Sequence, residues 1–292
     1  MRVIPPSELI INEDGTVFHL HLLPSQLADT VILVGDPGRV DMVAARFDSV
    51  ECRVDNREFR TITGRFCGKR MSVLSTGIGT DNIDIVVTEL DALANVDFAT
   101  RTVREQHRRL TLVRLGTSGA LQADLPMGAL LMSRTSVGFD GLLNYYEGRD
   151  SVCDLDMERA FVEYMGWSER LPAPYFVNAD EELVRLFKDA AIEGITISAP
   201  GFYGPQGRMV RLRPAMGEQV NSRIAEWEYH GRRITNYEME GSALAGLAAL
   251  LGHRAITLCT AIAQRVAGEA QTDYRLFVER MIDVALERLA KQ

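Results

Sequence analysis

Short apolar runs alternate with amphipathic stretches along the chain. Residues 31–34 read Val-Ile-Leu-Val and run into a Gly-Asp-Pro-Gly sequence, which predicts a buried strand followed by a turn. The apolar residues that follow have the i, i+3, i+4, i+7 spacing of one helix face: Val40, Val43, Ala44 and Phe47. Residues 71–74 predict a second strand. After the turn at 76–79, another helix is predicted to bury one face: Ile83, Val86, Val87 and Leu90.

The same order continues through the rest of the chain. Residues 110–115 predict a third strand, which ends at a Gly-Thr-Ser-Gly turn over residues 116–119. Residues 255–262 predict a late strand in the core. Residues 242–251 and 274–289 have helical patterns, and the first of these helices is apolar nearly all round.

This alternation of strands and helices predicts an α/β fold. The chain has no internal repeat, low-complexity run or Pro/Ser-rich linker, so we expect a single domain over residues 1–292. Three of the predicted strands run into Gly-rich turns, two of them with a helix directly after. In α/β folds, ligands bind at the carboxyl ends of strands, where backbone N–H groups and helix N-termini face outward. The Gly-rich turns are therefore candidates for a binding site.

The composition favours a cytoplasmic protein that does not bind nucleic acid. Of 292 residues, 46% are hydrophobic, and 32 basic against 40 acidic residues give a formal net charge of −8. Any anion site must therefore be a local group of arginines and not a field of the whole protein. The four cysteines are scattered without a C-x-x-C spacing, which is typical of reduced thiols. The first 15 residues contain no apolar segment of a signal peptide.

Several common motifs fail on inspection. Gly77-Ile78-Gly79 lacks the last glycine of a dinucleotide fingerprint, because Asn82 stands at that position. Residues 64–69 are one residue short of a P-loop. The five histidines have no metal-ligand spacing, and no G-x-S-x-G sequence occurs. We therefore expect no metal site and no bound cofactor.

The stretch FYGPQGR at 202–208 combines three side chains that suit a pyrimidine base. The aromatic face of Phe202 can stack on a flat heterocycle, and the carboxamide of Gln206 can pair with an amide-like edge. Arg208 adds donors that favour negative charge on a carbonyl oxygen. A surface turn with an incidental arginine is the plainer alternative.

Three arginines are candidates for an anion site. Arg114 lies inside the apolar strand 110–115, and a buried arginine needs an anionic partner. Either an internal carboxylate or a bound anion could supply that charge, and the adjacent Thr117 hydroxyl and backbone amides favour a tetrahedral anion. Arg39 follows the first Gly-rich turn, where a solvated position is the alternative. Arg57 is the third candidate, with surface ion pairing as its alternative.

The sequence NYEME at 236–240 opens the apolar helix. Acidic residues at a helix N-terminus are often only partners of the helix dipole. A carboxylate in a cleft can also accept hydrogen bonds from the two vicinal hydroxyls of a ribose, and Met239 offers an apolar surface under the sugar.

Taken in order, these motifs resemble the nucleoside phosphorylase superfamily of the purine nucleoside/uridine phosphorylase type, and within it the uridine-cleaving members. The resemblance runs from Phe18-His19-Leu20 to about Arg265. It rests on these motifs: GDPGR (35–39), NREF (56–59), STGIG (75–79), RLGTSGA (114–120), FYGPQGR (202–208), NYEME (236–240) and the pair Gln264-Arg265. It implies a single-domain, three-layer α/β fold with a central mixed β-sheet flanked by helices.

The resemblance also implies roles for the matching residues. Phosphate would be bound by Gly35, Arg39, Arg57, Arg114 and Thr117. Ribose would be bound by His19, Thr117, Met239 and Glu240. The base would be bound by Phe202, Gln206, Arg208 and Glu238, with Arg265 as support for the base loop. Catalysis would fall to Arg208, Arg114 and Gln206. Arg57 and His19 would reach the site from a neighbouring subunit, which implies a homo-oligomer, either a dimer or a hexamer built of dimers.

The implied reaction is the reversible phosphorolysis of uridine to uracil and α-D-ribose 1-phosphate in pyrimidine salvage, with inorganic phosphate as co-substrate. Purine-cleaving relatives place an aspartate on the late strand, whereas residues 259–264 contain no acid here. Thr80-Asp81-Asn82 replaces the small Pro-Ser type sequence near which some relatives bind a monovalent cation, so the sequence disfavours a cation site but leaves cation dependence open. The sequence leaves open ribose against deoxyribose, uracil against thymine, and dimer against hexamer.

Three other functions are compatible with parts of the sequence. A nucleoside phosphorylase of the same fold could prefer another base. A nucleosidase of the same fold would use water and would need a carboxylate base, but it would have no use for converging arginines. A regulatory, nucleic-acid-binding protein could use Arg101, Arg104, Arg108 and Arg109, if these residues formed one helix face. The acidic net charge and the lack of interleaved aromatic residues disfavour that function.

Overall fold

The computed structural model describes residues 2–292, in which strands and helices alternate along the chain. The strands are β1 Thr30–Val34, β2 Ser49–Asn56, β3 Phe59–Phe66, β4 Lys69–Ser75, β5 Val96–Asp97, β6 Thr102–Val103, β7 Thr111–Ala120, β8 Leu130–Gly138, β9 Tyr175–Asn178, β10 Ile192–Ser198, β11 Glu228–Tyr229, β12 Arg232–Glu238, β13 Arg254–Gln264 and β14 Glu269–Ala270. The helices are α1 Pro37–Ala44, α2 Thr80–Asn95, α3 Leu155–Met165, α4 Glu181–Phe187, α5 Val220–Glu226, α6 Gly241–Leu250 and α7 Arg275–Ala290.

One mixed sheet of twelve strands organises the molecule. Its order is β11-β12-β10-β8-β13-β7-β1-β4-β3-β2, with β14 paired to β13 and β9 paired to β8. The pairs β1–β4, β1–β7, β7–β13, β8–β10 and β10–β12 are parallel, whereas β8–β13 and the β2–β3–β4 ribbon are antiparallel. The α/β fold with a central mixed sheet, which the resemblance implies, is confirmed.

Five of these strands close into a ring, because β12 pairs with β7 as well as with β10. The additional pairing is antiparallel and sets Tyr237 opposite Gly119 and Asn236 opposite Ala120. It therefore brings the end of NYEME beside the end of RLGTSGA, although more than a hundred residues separate the two motifs in the chain.

Helices cover both faces of the sheet. One face packs against α2 and α6 through residues such as Val86, Leu90 and Leu244. The other packs against α1, α4 and α7 through Val43 and Ile282, among others. A third cluster, rich in aromatic side chains, holds α3 and α5 against the ring of strands. The alternate residues of β1 go to opposite faces, as expected for a strand buried on both sides.

The predicted elements are largely present, with one correction at β7. The helices predicted over residues 242–251 and 274–289 correspond to α6 and α7 within one residue. The third strand does not end at a turn over residues 116–119, as the glycines suggested. It continues to Ala120, because β13 on one side and β12 on the other supply backbone partners to that stretch.

The arginine-rich segment before β7 forms no helix, so the idea of a basic helix face is wrong. Arg101 has a positive φ of 55° and donates to the carbonyl oxygens of Ile4 and Leu9, which ties down the N-terminal segment. Arg108 pairs with Asp29. These arginines are bound to their own chain and do not form a free basic surface.

Within residues 2–292, no helix has both the length and the apolar character needed to cross a membrane.

Candidate active site

A cavity of about 800 Å³ lies where the carboxyl ends of β1, β4, β7, β12 and β13 meet. The structure brings together all but two of the predicted site residues on its wall: Gly35, Arg39, Arg114, Thr117, Phe202, Gln206, Arg208, Glu238, Met239 and Glu240. The two that lie elsewhere are His19 and Arg57. The lining supports a common site for these motifs, and the role of each residue stays a prediction.

Arg114 is buried at the base of the cavity and is matched by two carboxylates. Its Nη1 lies 3.1 Å from Glu238, and its Nη2 bonds to Glu240. Burial alone would lower the pKa of Arg114, but Glu240 and then Glu238 raise it above its ordinary value. Of the two partners left open by the sequence, the structure supplies internal carboxylates. A bound anion is therefore not needed to explain why this arginine is buried.

The two glutamates are held in place mainly by backbone N–H groups. Glu238 accepts from the N–H groups of Glu240 and Gly241, each at 2.9 Å, and so caps the first turn of α6. Glu240 accepts from Gly79 at 2.8 Å. Burial raises the pKa of Glu240, and the charge of Arg114 offsets this only in part, since the neighbouring Glu238 raises the pKa further.

Glu238 has little capacity left for a substrate, although it lines the cavity. Both of its oxygens already accept hydrogen bonds inside the protein, from Arg114, from the start of α6 and from Ser198. These contacts favour a supporting role over direct contact with the base, and base binding by Glu238 stays a prediction.

Arg39 is the candidate cation for binding an anion, because the charge of Arg114 is already paired with two glutamates. Asp36 caps α1 by accepting from the N–H of Gly38 at 2.8 Å, and this places Arg39 in the first turn, beside the cavity. The Arg39 side chain forms no ion pair with a carboxylate among residues 2–292, and its one bond is a long 3.5 Å contact to the carbonyl of Leu115. Burial, followed by the charge of Arg114, lowers the pKa of Arg39. A bound anion would compensate for this unmatched charge.

The loop over residues 202–208, which is predicted to bind the base, is pre-arranged by contacts between its own side chains. The guanidinium of Arg208 lies 3.8 Å from the ring centroid of Phe202 and donates to the Phe202 carbonyl at 2.6 Å and to the Gln206 side chain. Arg265 donates to the Gln206 carbonyl at 3.0 Å. Arg208 therefore covers one face of the ring that is expected to stack on a base, so a base could stack only on the other face.

Two hydroxyl groups on the cavity wall have no hydrogen-bond partner within residues 2–292. They belong to Tyr237 and Ser118, both buried. Burial raises the pKa of Tyr237, so its phenol is a neutral donor. The sequence assigns Tyr237 no role, whereas in the structure it lines the cavity and also packs in the aromatic core. Buried polar groups normally have partners, so these two hydroxyls are suited to a polar ligand.

The cavity wall also contains residues that the sequence did not indicate. Ala270 and Gln271 reach it because β14 folds back onto the end of β13, where Gln271 donates its N–H to Ile262 at 2.8 Å. No signal in the sequence points to this hairpin, since its strand is only two residues long.

His19 and Arg57 lie together on the surface outside the cavity. Arg57 is exposed in the turn between β2 and β3, with a φ of 55°, and its guanidinium lies 5.5 Å from the ring centroid of Phe18. The Nδ1 of His19 lies 2.6 Å from Glu89, and Asn56 donates to the His19 carbonyl at 2.8 Å. Their roles in a neighbouring subunit stay a prediction.

Comparison with known proteins shows similarity over nearly the whole chain. Residues 29–291 match the family described as the phosphorylase superfamily. The uridine phosphorylase of Thermococcus kodakarensis is 30% identical over 88% of this chain and 80% of its own length. The guanosine phosphorylase of Halorubrum lacusprofundi is 27% identical over 86% of this chain and 84% of its own. A crystal structure of a Trypanosoma brucei nucleoside phosphorylase with uridine phosphorylase activity has a TM-score of 0.88 at 29% identity, covering 97% of this chain and all of that one.

Proposed function

Because the chain belongs to the phosphorylase superfamily, we propose that it is a uridine phosphorylase. It cleaves the glycosidic bond of uridine with inorganic phosphate and releases uracil and α-D-ribose 1-phosphate, and the reaction is reversible. The similarity to uridine phosphorylases over most of both chains supports this proposal. In the proposed reaction, inorganic phosphate is the second substrate and attacks the sugar itself, so no cofactor takes part.

The observation that carries the proposal is that one cavity contains two different polar groups. One is an arginine without a carboxylate partner within residues 2–292, Arg39, in the first turn of α1. The other is the Gln206–Arg208 pair, in which a carboxamide and a guanidinium are already bonded to each other. An unmatched cation suits phosphate, and the amide–guanidinium pair suits the carbonyl edge of a pyrimidine.

Phosphate at Arg39 would stabilise the sugar as the bond breaks. Cleavage of a glycosidic bond passes through an oxocarbenium-like sugar, and a phosphate dianion held beneath C1′ offsets its positive charge. The hydroxyl of Ser118 and the end of β7 at Thr117 lie on the same wall and add donors for phosphate. Positioning and electrostatics then supply most of the rate acceleration, without a covalent intermediate on the protein.

The base and the sugar are held by the remaining wall. Uracil leaves with negative charge on its carbonyl oxygens, and the donors of Gln206 and Arg208 stabilise this charge as it develops. Glu240 accepts one bond from Gly79 and one from Arg114, which leaves lone pairs for the ribose hydroxyls. Met239 packs beside the sugar.

A nucleosidase that uses water is less well supported by the same wall. Such an enzyme needs a carboxylate that is free to accept a proton from water. Of the carboxylates that line the cavity, Glu238 and Glu240 are paired with Arg114, and Asp36 accepts the N–H of Gly38 at the start of α1.

The base preference is the first test of the proposal. Ile262 and Ala263 line the cavity on β13, so the part of that strand at the cavity offers no acid to protonate a purine nitrogen. General acid catalysis is worth about 10²–10⁴-fold in rate. With saturating phosphate, we therefore expect kcat/KM for uridine to exceed that for inosine or guanosine by about 100-fold or more.

This preference is measured with equal concentrations of each nucleoside and one enzyme preparation. Faster cleavage of guanosine or inosine than of uridine would contradict the proposal. It would favour instead a purine-cleaving phosphorylase, the alternative suggested by the guanosine phosphorylase among the relatives.

We also propose that the active unit is a homo-oligomer in which Arg57 and His19 complete the site of a neighbouring subunit. The surface cluster of His19 and Arg57 is held in place by contacts within the protein. His19 is fixed by Glu89 and by Asn56, and Arg57 packs on Phe18. Of the proposed phosphate-binding arginines that line the cavity, Arg114 is paired with carboxylates and Arg39 is not paired with any within residues 2–292, so Arg57 would add a second positive charge.

This arrangement predicts complementation between two inactive variants, Arg39→Ala and Arg57→Ala. In a mixed dimer, one site receives both defects and the other receives neither, so activity should recover to about half of the wild-type value per heterodimer. Arg53→Ala, which removes an exposed arginine from β2 next to the Arg57 turn, is the control and should keep full activity. Absence of recovery after confirmed subunit exchange would place each site within a single chain.

A further inference from the structure

A buried network of hydrogen bonds lies at the start of α6, behind the residues that line the cavity. Ser198, the last residue of β10, is fully buried, and its hydroxyl donates to Oε1 of Glu238. The same oxygen of Ser198 accepts the backbone N–H of Ser242 at 2.8 Å. Ser198 therefore contacts Glu238 and the first turn of α6 at once, although it does not line the cavity itself.

This network of hydrogen bonds continues from Ser242 to Asp140 and Tyr175. The hydroxyl of Ser242 donates to Oδ2 of Asp140 at 2.9 Å, and the Tyr175 hydroxyl lies 2.9 Å from Oδ1 of Asp140. Asp140 also accepts the N–H of Leu142 at 2.8 Å. The first turn of α6 is thereby anchored to the loop that follows β8 and to β9.

Ser198 has a particular place among the groups that orient Arg114. The guanidinium is shared by two carboxylates, so its position depends on how each carboxylate is held. Glu240 is held by the backbone N–H of Gly79. Glu238 is held by backbone N–H groups and by one neutral side chain, Ser198.

We infer that Ser198 is a positioning residue, whose hydroxyl keeps Glu238 turned toward α6 and so keeps Arg114 and Glu240 aligned at the cavity. The inference rests on the proposed function. Without this hydroxyl, Oε1 of Glu238 retains only a shared bond from Gly241, and a buried carboxylate must then find another donor. The guanidinium of Arg114 is the adjacent donor, and its movement toward Glu238 would loosen Glu240.

The test compares Ser198→Ala with Ser133→Ala. Ser133 lies on β8 and is also buried, and its hydroxyl donates to Thr196 on β10 at 2.7 Å. The control therefore removes one buried, hydrogen-bonded hydroxyl from the strand beside that of Ser198 in the same sheet. We expect Ser198→Ala to lower kcat about 10- to 100-fold, because small displacements of catalytic groups have effects of this size. We expect the melting temperatures of the two variants to fall by similar amounts, and kcat of Ser133→Ala to remain within about twofold of the wild type.

A second variant guards against a folding defect. Ser198→Cys keeps a side chain of similar shape but offers only a weak S–H donor, so it should also lower kcat while it folds. If Ser198→Ala folds and its kcat equals that of Ser133→Ala, the inference is wrong and Ser198 is only structural. If Ser198→Ala does not fold, the same comparison is made with Ser198→Cys.

The outcome is separable from the proposed function. The ratio of variant to wild-type kcat is measured on whichever nucleoside the wild-type protein cleaves fastest with phosphate. A preference for inosine or guanosine would overturn the uridine proposal, and the same ratio would still decide the role of Ser198.

Discussion

Replacement of Arg114 by alanine is expected to lower the free energy of unfolding by about 3–5 kcal/mol at neutral pH. The reason is that Glu238 and Glu240 are both buried and both rely on this guanidinium. Without it, two carboxylates face each other without a cation, which is among the more costly arrangements in a protein interior. Activity should also be lost, because Glu240 can no longer keep its orientation.

The loss of stability in Arg114→Ala should depend on pH in a definite direction. Burial already raises the pKa of Glu240 in the wild type, and removal of Arg114 takes away the charge that opposes this shift. A raised pKa in the folded state stabilises the protein below the pKa of the unfolded glutamate, about 4.3, and this stabilisation is lost as the pH rises. The variant should therefore be closest to the wild type near pH 5 and furthest from it near pH 8.

Denaturant unfolding of both proteins at pH 5 and pH 8 measures this difference. Arg233→Ala, which removes an arginine paired with Asp124 at the surface, is the control and should have a small effect at both pH values. A loss in Arg114→Ala as small as that of the control and independent of pH would show that the two glutamates do not depend on Arg114.

Replacement of Arg208 by alanine should lower kcat on uridine by about 10- to 1000-fold. In the proposed reaction, Arg208 would meet a charge that is larger in the transition state than in bound uridine, so its loss should affect turnover more than ground-state affinity. The variant also frees Gln206, whose side-chain oxygen bonds to Arg208, and uncovers one face of Phe202. The pKa of Arg208 is lowered by burial and by Arg265, but the ordinary value is high enough that the group stays charged at neutral pH.

Steady-state kinetics with uridine and saturating phosphate measure the effect of Arg208→Ala. Arg211→Ala is the matched control, because Arg211 is an exposed arginine three residues further along the same loop. An unchanged kcat with only a raised KM would mean that Arg208 binds the base but does not stabilise the transition state.

The main strands and helices could be predicted because their periodicity is strong and local. The strand β1 and the helix α2 carry apolar residues at the spacing of their class, and this pattern does not depend on distant contacts. The end of β7 could not be predicted in the same way. Its glycines suggest a turn, whereas backbone partners on β12 and β13 keep the stretch extended, and such pairing depends on tertiary structure.

The sequence indicates which residues belong to the candidate site better than it indicates how they are arranged. The motifs that line the cavity lie at or beyond the carboxyl ends of strands, so their convergence is a consequence of α/β topology. The sequence does not reveal the double pairing of Arg114, because Glu240 is 126 residues away in the chain and nothing local links the two. The Arg208–Phe202 stack was missed because the order of residues in a loop does not reveal which of its side chains contact each other.

The most direct measurement of the central claim is the phosphate dependence of uridine cleavage, followed by identification of the sugar product. The unmatched cation at Arg39 and the engaged carboxylates of Glu238 and Glu240 predict that phosphate, and not water, attacks the sugar. We expect uracil and ribose 1-phosphate to form together, at a rate that saturates with phosphate, and no cleavage in phosphate-free buffer. Equal rates without phosphate, with free ribose as the product, would contradict the account.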